Sequence, residues 1–445
     1  MIGLIMFFAA LVMLVLGFPV AFTFGAVAIY FGAIAAYMEL ASDGAVVFAD
    51  WWDEFISMFS MMPFRIESIM ENKILMAVPL FIFMGIVLQK SELAERLLMS
   101  MGTLFGKVRG GLAVSTILIG ALLAASTGVV GASVVAMGVI SLPIMLKYKY
   151  DKALSSGVIC ASGTLGQIIP PSIVLIILAD VFQQPVGELF KAALFPGLAL
   201  VGIYILYVLV ISFLKPNYAP AISTDLNYKE GVKKALKAII PPLILIILVL
   251  GSIFAGIATP TESASLGAIG SVILAFMYKK LNFNLIKDAS LETVKTTSMV
   301  FAILVGATAF SMVFVYSGGD ELVEEFMMNL PGQKWGFIAL SMAIIMFLGF
   351  FIDFIEISYI VVPILLPIAQ KIGIDPVWFA ILIALNLQTS FLTPPFGFSL
   401  FYLKGVAPNS VKTTDIYKGV IPFIILQILI LASVVIFPTL YGFKG

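Results

Sequence analysis

The stretch "LNLQTSFLTPPFGFSL", residues 385–400, decides how this chain is interpreted. It places two side-chain amides, four hydroxyl residues and a Pro-Pro pair in a segment that is otherwise apolar. Proline has no N–H and cannot continue a helix interior, so a helix that reaches Pro394 must break there. A backbone carbonyl that loses its hydrogen bond inside the hydrocarbon layer costs free energy unless another group takes the place of the missing N–H. Such a break is either a simple kink, satisfied by hydroxyls or water, or part of a binding site.

Composition indicates an integral membrane protein. Of 445 residues, 61% are hydrophobic and 11% are charged, whereas an ordinary soluble domain has about a quarter charged residues. Apolar runs at residues 2–16, 239–254 and 420–437 approach or exceed the roughly 17 to 25 residues that a spanning helix needs. A transmembrane barrel would show short alternating segments instead. We therefore predict an all-α polytopic membrane protein.

Basic residues place one apolar segment between two cytoplasmic ends. Arg109 precedes this segment and Lys147 follows it, and the positive-inside rule assigns both to the cytoplasm. The segment should therefore enter and leave the membrane by the same face. Its centre, "AASTGVVGAS" at residues 124–133, is a Gly/Ser/Thr turn between apolar flanks. We predict a re-entrant helical hairpin.

Two copies of one proline pattern indicate an internal repeat. Pro143 and Pro367 are 224 residues apart, and so are Pro170 and Pro394 in the words "GQIIPPS" and "SFLTPPF". A second hairpin, at residues 337–369, follows the acidic "GGDELVEE" and should open to the outside. We predict two inverted repeats, about 1–215 and 238–445, an architecture typical of secondary transporters.

The repeats predict six segments along the chain. These are scaffold and arm helices at 1–111, a first transport unit with hairpin and broken helix at 112–186, a scaffold helix and Lys-rich linker at 187–237, scaffold and arm helices at 238–336, a second transport unit at 337–404, and a C-terminal scaffold helix at 405–445.

The broken helices offer ligands for a hard cation and for an anion. Sodium prefers oxygen, by analogy with the hard divalent ions, and the freed carbonyls and neighbouring hydroxyls supply it. The amino ends of half-helices present N–H groups that suit a carboxylate.

Asp353, on the second hairpin, is a functional candidate because a carboxylate inside the membrane costs free energy, with a cap or interfacial role as the alternative. Asn386 and Gln388 are substrate donors or interhelical hydrogen-bonding groups, and Glu262 is a helix cap or an interface residue.

These residues resemble the large membrane subunit of tripartite ATP-independent periplasmic (TRAP) transporters. The words that carry the resemblance include "AVPLFIFMG", "GKVRGGLAVS", "GTLGQIIPPSIVLI", "LGFFID" and "LQTSFLTPPFGFSLFYLKGVAP", which follow one another over nearly the whole chain. The usual Ser-Gly-Ser-Ala type of hairpin tip is replaced here by Ser126, Thr127 and Gly128, with two valines before Gly131.

The resemblance implies a sodium-coupled, elevator-type importer of organic acids in the bacterial inner membrane. It implies a separate small four-helix membrane subunit and a soluble periplasmic binding protein as partners, with Na⁺ as coupling ion and no other cofactor. The composition itself places the chain in the lipid bilayer, and no long basic tract in the sequence suggests nucleic acid as a partner. The resemblance also suggests one sodium site in each half. The sodium ligands carried over are Ser126, Gly128, Gly163 and Pro170 in the first half, and Asp353, Thr389, Thr393 and Pro394 in the second. Predicted substrate contacts are Thr127, Thr164, Asn386 and Gln388.

Other classes of function are compared with this prediction. The chain has no histidine, no nucleophile paired with a base and no Walker-type loop, so we predict neither an enzyme nor an ATP-driven pump. A gradient-independent channel, or a transporter coupled to protons, remains the alternative.

Overall fold

The computed structural model describes residues 2–43, 46–91, 97, 105, 108–127, 130–221 and 228–443. All regular secondary structure in these ranges is helical. The helices of the first half are α1 (Ile2–Val15), α2 (Val20–Asp43), α3 (Phe48–Phe59), α4 (Met62–Met70), α5 (Ala77–Lys90), α6 (Gly111–Thr127), α7 (Val130–Lys147), α8 (Lys152–Thr164), α9 (Ile173–Val181) and α10 (Val186–Leu214).

The α-helices of the second half follow in the same described ranges. These are α11 (Tyr228–Phe254), α12 (Pro260–Met277), α13 (Phe283–Tyr316), α14 (Gly319–Met328), α15 (Lys334–Leu348), α16 (Phe354–Glu356), α17 (Val362–Lys371), α18 (Pro376–Leu392), α19 (Phe398–Val406) and α20 (Thr413–Ile436). A π-helical turn at Ile357–Val361 joins α16 to α17.

Helix length and composition confirm the predicted class. Within the described ranges, eight helices have at least 18 residues and are apolar enough to cross a membrane. They are α2, α7, α10, α11, α12, α13, the continuous run of α16 and α17, and α20. Five further apolar helices are shorter: α1, α5, α6, α15 and α18. The chain is an all-α, multi-pass membrane protein.

The chain divides into two compact units. Unit 1 comprises Met1–Leu75 and Lys295–Pro376, and unit 2 comprises Met76–Val294 and Val377–Gly445. In unit 1, α1 packs on α2, and the buried ring of Phe310 contacts the edges of Phe7 and Phe24. The indole N–H of Trp51 on α3 donates to the Ala33 carbonyl at 2.9 Å, which fixes α3 against α2.

In unit 2, α8 lies at the centre, in contact with α6, α7 and α20. Two glycines allow α8 and α20 to approach closely, because a Cβ at Gly157 would collide with the Gly419 carbonyl and one at Gly419 with the Ala153 carbonyl. The thiol of Cys160, on the same helix, is fully buried and contacts the Ser399 carbonyl oxygen at 3.7 Å. This close packing fixes the helix that precedes the first Pro-Pro segment, residues 166–172.

Both predicted hairpin segments are helix pairs. In unit 2, α6 and α7 contact each other over the segment predicted for the first hairpin, whose central residues 128 and 129 lie outside the described ranges. In unit 1, α15 is followed by a turn and then by α16 and α17 over the segment predicted for the second. The predicted cap role of Glu262 is confirmed, since Glu262 and Thr259 form a reciprocal capping box at the start of α12.

Candidate functional site

The first Pro-Pro segment, residues 166–172, lies between the end of α8 and the start of α9. After Thr164 the chain forms one 3₁₀ turn, Leu165–Gln167, and then leaves helical geometry until Ile173. The Pro170-Pro171 peptide bond is cis. Ser172 caps the new helix: its hydroxyl donates to the Gln167 carbonyl at 2.8 Å and accepts from the Leu175 N–H at 3.4 Å. The break is buried, including Pro170.

The second Pro-Pro word makes an equivalent break between α18 and α19. The helix ends at Leu392, and the Pro394-Pro395 bond is also cis. The Ser399 hydroxyl donates to the Phe391 carbonyl at 2.8 Å, and the Tyr417 hydroxyl donates to the Pro395 carbonyl at 2.8 Å. Unlike Pro170, Pro394 is only half-buried.

The carbonyls at the two breaks correct one detail of the sequence analysis. Gln167 and Phe391 are 224 residues apart, the spacing of the proline words, and each carbonyl accepts a serine hydroxyl. These two freed carbonyls are therefore partnered, because a nearby serine reaches each of them. Each carbonyl oxygen retains a second lone pair for another donor or a cation.

The hydroxyls of Thr389 and Thr393, both predicted sodium ligands, donate to backbone carbonyls of α18. Thr389 donates to the Leu385 carbonyl at 2.9 Å and Thr393 to the Thr389 carbonyl at 2.7 Å. A hydroxyl that gives its hydrogen to a carbonyl keeps its oxygen lone pairs. This geometry is therefore compatible with cation binding through the oxygen atoms.

Gly163 has a packing role in unit 2. A Cβ at this position would collide with the Val134 side chain of α7. The hairpin helix consequently lies directly against the end of α8, next to the first break. A larger residue at position 163 would separate them.

Thr164 and Gln388, which are 224 residues apart, contact each other directly. The Gln388 Nε2 group donates to Thr164 Oγ1 at 3.5 Å, and Gln427 Nε2 on α20 donates to the same oxygen at 3.4 Å. All three side chains are at most 2% exposed, as is Asn386. The structure thus brings two of the predicted substrate contacts together, and whether they bind substrate stays a prediction.

Sequence reasoning missed Gln427 and its neighbour Tyr204. Gln427 interrupts the run "VIPFIILQILILASVV", and a lone amide in so apolar a helix is a signal of a buried polar contact. Tyr204 on α10 is fully buried and lies beside Gln388 and Gln427. Nothing in the apolar sequence around Tyr204 indicates that its hydroxyl lies beside these amides.

Among the predicted sodium ligands, Asp353 lies in unit 1, and the structure describes its side chain. It is half-buried and caps α16, since its Oδ1 accepts from the Phe354 N–H at 2.7 Å. Glu356, one turn later, is 3% exposed, and its Oε2 has no hydrogen-bond partner among the described residues. The side chains of Ser126 and Thr127, and all of Gly128, lie outside the described residues.

Comparisons with known proteins identify the family. Residues 7–440 match the family described as "Tripartite ATP-independent periplasmic transporter, DctM component". The C4-dicarboxylate TRAP transporter large permease protein DctM of Pseudomonas aeruginosa is 31% identical over 369 residues, which cover 83% of this chain and 85% of the relative. The sialic acid TRAP transporter large permease protein SiaM of Vibrio cholerae is 29% identical, with coverage of 83% and 85%.

Solved structures of membrane transporters share the fold. The YdaH transporter of Alcanivorax borkumensis superposes with a TM-score of 0.60 at 14% identity, over 86% of this chain and 89% of the other. MtrF of Neisseria gonorrhoeae gives 0.59 at 11% identity, over 86% and 84%. The relatives are transporter permeases, so the prediction that the chain is not an enzyme is confirmed. The chain belongs to the DctM family of TRAP transporter large permeases.

Proposed function

We propose that this chain imports a small organic acid across the bacterial inner membrane in symport with sodium. The observation that carries the proposal is the pair of oxygen-rich Pro-Pro breaks at equal spacing, in a chain whose relatives are transporter permeases. Relatives named for C4-dicarboxylate and sialic acid support an acidic substrate.

Sodium binding is proposed for oxygen atoms at the hairpin tips and breaks. The proposed ligands are Ser126, Gly128, Gly163, Pro170, Asp353, Thr389, Thr393 and Pro394. Glycine and proline act through their carbonyl oxygens. The hydroxyls of Thr389 and Thr393 already give their hydrogens to carbonyls of α18, so their oxygen lone pairs can face a cation.

Substrate recognition is proposed to rely on neutral donors. The chain has three arginines, Arg65, Arg96 and Arg109, and the sequence places all of them in the first half near charged interfaces. Helix amino ends and the polar side chains of Thr127, Thr164, Asn386 and Gln388 are the proposed contacts. The choice among organic acids then rests largely on the periplasmic binding protein.

We propose two partners and a moving transport unit. A small four-helix membrane subunit completes the permease, and a soluble periplasmic binding protein delivers the substrate. The hairpins and broken helices move as an elevator. A cysteine introduced at Phe396, an exposed position beside the second break, should then react with a membrane-impermeant maleimide from alternate sides of the membrane as sodium and substrate are changed.

Reconstitution tests the coupling. Proteoliposomes containing this chain and the small subunit should accumulate substrate only with substrate-loaded binding protein outside and sodium higher outside than inside. Replacing sodium by choline should abolish accumulation. Uptake that persists without sodium would reject sodium symport, and dependence on a pH gradient alone would assign proton coupling. Unsaturable flux without any gradient would indicate a channel.

A further inference from the structure

Four polar side chains from four apolar helices of unit 2 meet in one place. They are Thr164 on α8, Tyr204 on α10, Gln388 on α18 and Gln427 on α20, and each is at most 2% exposed. Burial of a polar group is costly unless it is hydrogen-bonded. We call this set the polar junction. A complete set of hydrogen bonds is therefore expected inside it.

The hydrogen bond from Thr164 fixes the orientation of both amides. The Thr164 hydroxyl has a single hydrogen, which it donates to the Ala161 carbonyl at 2.9 Å. Its contacts with Gln388 and Gln427, at 3.5 and 3.4 Å, must therefore use the N–H groups of those amides. Both Oε1 atoms consequently face away from Thr164.

Three polar atoms of the polar junction lack a protein partner. The Oε1 atoms of Gln388 and Gln427 and the hydroxyl of Tyr204 are fully buried and have no hydrogen-bond partner among the described residues. The Tyr204 hydroxyl lies beside both amides, and no hydrogen bond of regular geometry joins it to a described residue. Two acceptors and one hydroxyl donor thus lie in the same junction.

We propose that the polar junction is a binding site for one internal water molecule. The water donates its two hydrogens to Gln388 Oε1 and Gln427 Oε1 and accepts the hydrogen of the Tyr204 hydroxyl. Three hydrogen bonds are the usual number for a buried water. A sodium ion fits less well, because only three oxygens of the junction lack partners, whereas hard cations usually take about six oxygen ligands.

The position of this water gives it a structural role. Thr164 precedes Pro170 by six residues, and Gln388 precedes Pro394 by six. The water therefore joins α18, just before the second break, to α10 and α20, and the amide contacts with Thr164 connect the end of α8 to the same junction. It holds the two breaks in register, and the inference does not depend on sodium coupling.

A structure of the full-length protein at a resolution that shows waters gives the direct test. We expect one ordered peak within about 3.2 Å of the Tyr204 hydroxyl and both Oε1 atoms. Direct hydrogen bonds from Tyr204 to the amides, with no peak between them, would overturn the proposal. A peak with contacts near 2.4 Å that disappears when sodium is replaced by choline would assign a cation and also overturn it.

A pair of tyrosine variants tests the hydrogen bond in solution. Tyr204 and Tyr207 both lie edge-on to Phe423, with ring centroids 5.2 Å away, so Tyr204→Phe and Tyr207→Phe change similar ring contacts. We expect Tyr204→Phe to lower the melting temperature of the purified protein by about 2 °C or more, and Tyr207→Phe to have a smaller effect. Equal melting temperatures would show that the Tyr204 hydroxyl has no partner.

A double variant tests whether one water molecule bonds to both Tyr204 and Gln427. Tyr204→Phe and Gln427→Leu remove two bonds of the same water. The loss in melting temperature for the double variant should therefore be clearly smaller than the sum of the single losses. Strictly additive losses would exclude a shared water and leave the two side chains independent.

Discussion

Gly157 and Gly419 set the distance between α8 and α20. A Cβ at Gly157 would collide with the Gly419 carbonyl, which belongs to the backbone and cannot rotate away. Gly157→Ala should therefore destabilise unit 2 by about 1–3 kcal/mol, the usual cost of overpacking. Thermal unfolding of the purified protein, followed by intrinsic fluorescence, measures this loss.

A second glycine provides the matched control. Gly202 is a helical residue of α10, is exposed, and has open space within 4 Å of an added Cβ. Gly202→Ala should leave the melting temperature unchanged or raise it slightly, because alanine favours the helix. Equal destabilisation by both variants would contradict the close approach of α8 and α20.

Thr389 and Thr393 test the sodium proposal at the level of single oxygen atoms. Replacing both by alanine removes two proposed ligand oxygens but only two hydrogen bonds within one helix. The sodium concentration for half-maximal uptake should rise about tenfold or more, which corresponds to about 1.4 kcal/mol. Sodium titration of uptake in proteoliposomes measures the shift.

Thr293→Ala is the control for this pair. Thr293 is buried on α13, and its hydroxyl also donates to a carbonyl four residues earlier, that of Ala289, at 2.7 Å. Its substitution should lower the free energy of unfolding by about as much as each threonine substitution of the pair, and it should leave the sodium response unchanged. An unchanged sodium response in the double variant would remove Thr389 and Thr393 from the proposed ligands.

At the scale of elements, two serines complete the breaks that the prolines make. Ser172 satisfies the Gln167 carbonyl and also caps α9. Ser172→Ala should lower stability by about 0.5–2 kcal/mol, the range measured for lost helix caps. The change in melting temperature is the readout.

Ser265 offers a comparison on α12. Its hydroxyl donates to the Thr261 carbonyl at 2.9 Å within a regular helix, where the carbonyl is already bonded. Ser265→Ala should therefore have a much smaller effect than Ser172→Ala. Similar losses would indicate that the Gln167 carbonyl is satisfied by another group.

Helix breaks are predictable from sequence, and their hydrogen-bond partners are not. Proline has no N–H and cannot continue a helix, so the words around Pro170 and Pro394 are enough to locate both breaks. The serine partners depend on how the chain turns after each proline. Ser172 lies five residues beyond its acceptor and Ser399 eight residues beyond, so no single spacing identifies them.

At the scale of the whole molecule, the charge pattern predicts opposite orientations for the two hairpins. Lys149 follows the first hairpin and Glu321 precedes the second, and both are exposed. A cysteine replacing Glu321 should react with an impermeant maleimide in right-side-out vesicles, and one replacing Lys149 only in inside-out vesicles. Labelling of both from the same side would reject inverted repeats.

The fold class and the family can be predicted from the sequence of the whole chain, but the polar junction cannot. Apolar length and proline spacing are properties of the sequence itself, and the residues that resemble the family follow one another along nearly all of it. The contact of Gln427 with Thr164 joins residues 263 positions apart. Such a contact depends on the packing of α8 against α20, which hydropathy does not encode.

The buried thiol of Cys160 has a practical consequence for experiments on this transporter. It is the chain's one cysteine, it is 0% exposed, and its sulfur lies against the Ser399 carbonyl. Aqueous alkylating reagents and spin labels should therefore leave the native chain unmodified. The wild-type protein can serve directly as the background for attaching probes at chosen surface positions, without first replacing a packed residue of α8.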